Sequence, residues 1–113
     1  MTKCAAFATL LAAMLPAAVL AKDTRLWNLT ANTITSLRLS PAGRNEWGQN
    51  QTINDSDGSV DHDERLKITG AASGAYDIEF VDDSGRTCFV DNVQIKEGSV
   101  FAIEEKNLKN CSK

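Results

Sequence analysis

The chain has 113 residues, 12 basic and 15 acidic side chains, and a formal net charge of −3. That length admits one small domain. A net acidic chain without a basic stretch interleaved with aromatics repels nucleic acid and anionic lipid, so neither is an expected partner.

At the N-terminus Lys3 supplies a positive start, residues 4–15 run apolar and uncharged, and Pro16 breaks them. Val19 and Ala21 then place slender residues at the −3 and −1 positions of a peptidase site, the layout of a secretory signal peptide. An apolar run of about a dozen residues falls short of the ~20 that span a bilayer, so a membrane anchor is disfavoured. With no twin arginine, the general secretory route is expected. Residues 1–21 are read as a cleaved signal and residues 22–113 as one domain, periplasmic or extracellular, with no membrane insertion after cleavage. Cleavage removes Lys3 and Cys4, leaving a slightly more acidic chain with Cys88 and Cys111. An even pair in a small exported domain reads as one disulfide. Closing a loop of about two dozen residues contributes roughly 3–3.5 kcal/mol in the chain-entropy view. A catalytic thiol or half a metal site would need C-x-x-C spacing or a neighbouring histidine, which neither cysteine has.

The mature chain lacks a 3.6-residue apolar period; short alternating runs separated by turn residues take its place. Residues 26–30 form a first strand, in which Trp27 is taken as core. Residues 34–40 form a second, with Leu37 and Leu39 on one face and Arg38 on the other, closed by Pro41-Ala42-Gly43. A polar excursion covers residues 44–64. Residues 65–69 alternate again, with Leu66 and Ile68 inward. Residues 75–82 put Tyr76, Ile78 and Phe80 on one face and Asp77 and Glu79 on the other. Asp82-Asp83-Ser84-Gly85 is a hairpin turn in which Gly85 supplies positive φ. Residues 86–95 return, kinked at Asp91-Asn92, and residues 99–105 end the strands, after which the tail brings Cys111 back to Cys88. This is an all-β pattern: a small antiparallel β-sandwich of six to seven strands, immunoglobulin-like or related, with a small barrel as the alternative.

The block NLTANTITSLRLSPAGRNEWG (28–48) is similar to the opening of a family of small exported bacterial proteins of no established activity. The matching positions are an Asn-x-Thr turn (Asn28 with Thr30, or Asn32 with Thr33), Ile34, Leu37, Ser40, Pro41, Gly43, Trp47 and Gly48. YDIEFVDDSGRTC (76–88) resembles the family's strand–turn–strand centre at Tyr76, Asp77, Ile78, Asp82 and Gly85. The resemblance implies a compact β-sandwich and carries no activity. Where the family has a short Pro-Gly turn, this chain has NDSDGSVDHDE (54–64), so that segment is judged on its own chemistry.

With Gly58 at the sharp-turn position of a twelve-residue calcium loop, Asp55, Asp57, Ser59, Asp61 and Glu64 fall on ligand positions. Ile53 stands where the first aspartate belongs, and the flanks GQNQT and RLKIT are not helical. The competing reading is a solvated acidic turn bridging two sheets, and it is preferred: no cofactor is expected, with Ca²⁺ as the alternative. His62 is read as a lone exposed histidine. No second histidine, G-x-S-x-G elbow, phosphate loop or H-E-x-x-H is present, so an enzyme is not expected. Asp77 with Glu79 is the only close carboxylate pair on a strand face. Trp47, in a polar loop, is either a core plug or a platform for a sugar ring or a partner's side chain. The four N-x-[ST] matches, at Asn28, Asn50, Asn54 and Asn110, are read as chance outside a eukaryotic secretory pathway. The expectation is an exported binding module for an unknown protein or carbohydrate partner. A weak calcium-binding module using residues 53–64 and a small hydrolase are the alternatives.

Overall fold

Alternation of apolar and polar residues makes each strand two-faced, and its apolar face is satisfied only by a second layer. A computed structural model of the chain describes residues 22–113; the expected signal segment, its cleavage junction and Cys4 lie outside them. The strands are β1 (Thr24–Leu29), β2 (Ile34–Pro41), β3 (Arg65–Ile68), β4 (Gly74–Asp82), β5 (Thr87–Ile95), β6 (Val100–Glu104) and β7 (Lys109–Ser112). Two 3₁₀ turns, Gln51–Asn54 and Glu105–Asn107, complete the elements. One sheet has the order β3-β1-β6 and the other β2-β4-β5-β7, a small all-β sandwich. Only β4 and β5 follow one another within a sheet; every other connection crosses between the layers.

The alternation carries through to packing. Leu37 and Leu39, Leu66 and Ile68, Ile78 and Phe80 all point inward and are buried, with Leu26, Ile95 and Ile103 closing the core around them. Tyr76 packs at its margin. Burying a side chain such as Phe80 contributes roughly 1.5–3 kcal/mol. Gly85 turns the β4–β5 hairpin at φ 84°, and Asn92 takes φ 55° where the β5 register shifts, at the expected kink.

Two expectations are corrected. The sandwich is not wholly antiparallel: β1 pairs with β6 in parallel, Arg25 opposite Val100 through Leu29 opposite Glu104. The alternating pattern fixes which face of a strand is buried but carries no information on the direction of its neighbour. Trp27 is not core. Leu26 and Asn28 point inward, which turns Trp27 to the solvent face, half-buried.

The polar excursion is more anchored than its composition suggests. Val60 is fully buried and bridges Ile34. Gln51 and Thr52 are buried in the 3₁₀ turn that spans from the β2 edge to the β3 edge. Its side chains replace missing strand partners: Asn50 Oδ1 accepts from Leu37 N, while the Gln51 amide both donates to Thr69 O and accepts from Thr69 N. At the C-terminus Cys88 and Cys111 form the expected disulfide, 23 residues apart in sequence, joining β5 to β7. Cys88 is fully buried, whereas every residue of β7 is exposed.

Candidate functional site

Residues 53–64 leave the 3₁₀ turn as a chain of tight turns, because aspartates hydrogen-bond the backbone two residues on. Asp55 Oδ2 accepts from Asp57 N, and Asp57 Oδ1 accepts from both the N–H and the hydroxyl of Ser59. Gly58 takes φ 77°, as the sharp-turn position requires. Glu64 Oε1 turns back to accept from Asp61 N, and Asp61 Oδ1 accepts from the Thr33 hydroxyl. Contact between the two carboxyls raises Asp55, against the Asp57 N–H, which lowers it; the same carboxyl contact, with the Ser59 N–H and hydroxyl, lowers Asp57. These residues occupy one loop, but their oxygens serve its turns. Among the described residues no group of three or more His, Cys, Asp or Glu side chains is arranged to hold a metal ion. His62 is exposed, and its Nδ1 donates to Thr30 O at 2.7 Å.

Asp63 has a different role. Its Oδ1 accepts from the Trp27 indole N–H at 2.9 Å, and the Arg65 guanidinium lies 4.6 Å from the ring centroid. An exposed cation over an indole contributes roughly 0.5–1 kcal/mol. The sequence reading missed this arrangement because it assigned the indole to the core.

Trp47 lies on the opposite side of the molecule. Glu46 N donates to the Ser40 hydroxyl and Gly48 N to Leu39 O, which fixes the loop against the β2 edge. Its ring is 6.0 Å from Phe89, at an interplanar angle of 54°. The neighbours of Phe89 in β5, Cys88 and Val90, point into the core, so Phe89 points out and the aromatic pair sits on the solvent face of the four-stranded sheet. Trp47 is therefore not a core plug. It is a half-buried ring held on an outer surface.

No family model, curated protein or solved structure matches the chain. The functional reading rests on the chemistry of these surfaces.

Of the carboxylate pair on β4, Asp77 is engaged structurally. Asp77 accepts from Gly43 N and Asn92 N, tying the turn after β2 to the kink in β5. A cleft of about 390 Å³ opens between the 46–51 segment and the β3–β4 connection. Leu39, Pro41 and Tyr76 supply apolar walls, and Glu46 is its one carboxylate. A second, more open cleft of about 490 Å³ lies beside Lys22, Asp23 and Glu97.

The electrostatic centre of the molecule lies elsewhere, at the β4–β5 turn. Burial works to raise the Asp82 carboxyl. Hydrogen bonds from Ser84, Asn32 and Arg86 outweigh it and hold the group well below the ordinary carboxylate range. Arg86 bridges Asp82 at 2.9 Å and Glu105 at 2.7 Å; Glu105, first among the causes, raises the guanidinium further. Arg86 in turn lowers Glu105, helped by Ala31 N–H. The sequence signal that could have found this site is the Asx-x-Ser/Thr pattern. It recurs at Asn28-x-Thr30, Asn50-x-Thr52, Asp57-x-Ser59 and Asp82-x-Ser84, and in each the first side chain accepts from the N–H and hydroxyl of the third residue. Two of the N-x-[ST] matches thus have a structural role, as turn locks.

Proposed function

We propose that the protein is an exported interaction module that binds a protein or carbohydrate partner through the aromatic surface around Trp47 and Phe89. The observation that carries this reading is the position of Trp47. A large amphipathic ring is fixed by backbone hydrogen bonds on a solvent-facing sheet, at little further entropic cost on binding. The disulfide fits an oxidising compartment, and among the described residues no helix is long and apolar enough to cross a membrane. The disulfide agrees with export after removal of residues 1–21.

Residues 22–113 would be screened against a panel of soluble glycans and against purified extracytoplasmic proteins, with tryptophan emission and calorimetry as readouts. Trp47→Ala is expected to weaken binding at least tenfold, the loss of a central aromatic anchor, while the melting temperature stays near wild type. A ligand bound equally by wild type and Trp47→Ala would overturn the aromatic site. Turnover of a substrate by the wild type, lost in Glu46→Gln but kept in Trp47→Ala, would overturn the binding reading in favour of a hydrolase.

A further inference from the structure

A two-layer sandwich with one three-stranded and one four-stranded sheet has four edge strands, each a row of backbone donors and acceptors that must be paired, blunted or left open. Three of the four are dealt with. The β2 edge is occupied by the chain that follows it: Ile34 exchanges hydrogen bonds with Val60, Leu37 N meets Asn50 Oδ1, and Leu39 O accepts from Gly48 N. β3 is four residues long, bears the exposed Arg65 and Lys67, and is met by side-chain amides toward its end, Asn54 on Lys67 O and Gln51 on Thr69. β7 is four residues long, wholly exposed, begins at Lys109 and is followed by Lys113, the short, lysine-bearing form that discourages pairing.

β6 is different. Arg25 N donates to Ser99 O, and the parallel register with β1 then turns the peptide groups of Phe101 and Ile103 toward β1. The N–H and C=O of Val100 and Ala102 face the open side, where no partner meets them among the described residues. Beyond them Glu104 N is capped by Asn107 Oδ1, which ends the open edge. Side chains on the solvent face add to this: Val100 is 46% exposed, one of two large apolar residues so placed among the described residues, and Ala102 is exposed and small. On the core face Phe101 and Ile103 are buried. The open stretch is short, but it carries no proline, no lysine, no inward charge and no bulge.

We propose that β6 is a docking edge that accepts an extended segment of another protein as an added antiparallel strand. The chemistry of the edge specifies the guest. Apolar residues suit the positions opposite Phe101 and Ile103, which share the core-facing side of the sheet. Small or β-branched residues suit the positions opposite Val100 and Ala102, and a basic residue suits the position facing Glu104, whose present partner Lys106 is a loose, exposed contact at 3.7 Å. A second copy of this chain fits less well, because two-fold pairing of β6 about Ala102 sets each Glu104 against a Val100. The edge belongs to the smaller sheet and Trp47 to the solvent face of the larger, so this site is independent of the aromatic surface.

The test uses residues 22–113, ¹⁵N-labelled, and a short synthetic peptide of alternating valine and threonine with one lysine near the end that meets Glu104. Titration is expected to shift the Val100 and Ala102 amide resonances saturably and to slow hydrogen exchange at Ala102. N-methylation of the peptide amides that face β6 should weaken binding at least tenfold, while N-methylation of the opposite amides should not. Ala102→Pro removes an N–H that points away from β1, a change an edge strand tolerates, and should abolish binding. Glu104→Gln should remove the preference for lysine over threonine. Equal binding of the two N-methylated peptides, or no shift at Val100 and Ala102 up to millimolar peptide, would overturn the proposal. So would a concentration-dependent dimer of the protein alone that Ala102→Pro dissolves, which would make the occupant a second copy. The N-methyl comparison uses the wild-type protein and stands even if Ala102→Pro fails to fold.

Discussion

Asp82 is the one fully buried carboxylate among the described residues, and its surroundings make it a pH-dependent contributor to stability. It accepts from the Ser84 N–H and hydroxyl, the Arg86 N–H and guanidinium and the Asn32 amide, so its charged form is favoured in the fold despite burial. A carboxyl whose folded pKa lies below its unfolded value of ~3.9 contributes fully above that value and loses its contribution as pH falls through the folded one. Asp82→Asn is expected to cost roughly 2–4 kcal/mol in urea melts near neutral pH, since Arg86 is left without its buried partner. The gap from wild type should narrow as pH falls below about 4. A gap that persists unchanged in acid would mean that shape rather than charge holds the turn. Asn28 makes the complementary point with a neutral side chain. Fully buried, it donates to Asn32 O and Val60 O and accepts from Thr30, so its polarity is satisfied inside the core. Asn28→Leu should therefore destabilise by roughly 1–3 kcal/mol or more, because several buried backbone groups lose their partners at once.

Among the elements, β7 depends most on a single bond. None of its residues is buried, and its attachment consists of the ladder to β5, the half-buried Leu108 just before it and the disulfide. Cys111→Ser is expected to lower stability by roughly 2–4 kcal/mol and to release the β5 edge amides to rapid hydrogen exchange, with the core strands still protected. Equal protection in the variant would show that backbone pairing alone retains β7. The 53–64 loop is held differently: Val60 anchors it in the core, and the carboxylates of Asp55, Asp57, Asp61 and Glu64 close its turns. Melts in calcium at about 1 mM and in chelator are expected to superimpose; at extracellular-type affinity a bound ion would add roughly 0.4–1.4 kcal/mol and shift the midpoint by several degrees. Such a shift, lost in Asp57→Asn with Glu64→Gln, would show that the loop reorganises around a cation.

For the whole molecule, mass spectrometry of the exported protein is expected to find a chain beginning at Lys22 with no free thiol; a retained Met1 would remove the basis for export. What the residues determined by themselves is local. Alternation placed β2, β4, β5 and β6 to within a residue or two, because side-chain direction in a strand has a period of two whatever lies beside it. Gly85 marked the hairpin, and Cys88 and Cys111, an even pair once residues 1–21 are set aside, marked the staple. The tertiary structure decided what depends on distant partners. In β1 both Leu26 and Trp27 are apolar, so period two allowed either phase. Asn28 settles it, since its amide finds four partners only when turned inward, and Trp27 is thereby placed outside against Asp63 and Arg65. The parallel pairing of β1 with β6, the meeting of Trp47 with Phe89 and the arrival of Glu105 at Arg86 likewise join residues far apart in sequence. No local period encodes such meetings, because strand partners are chosen by how two layers close over one core.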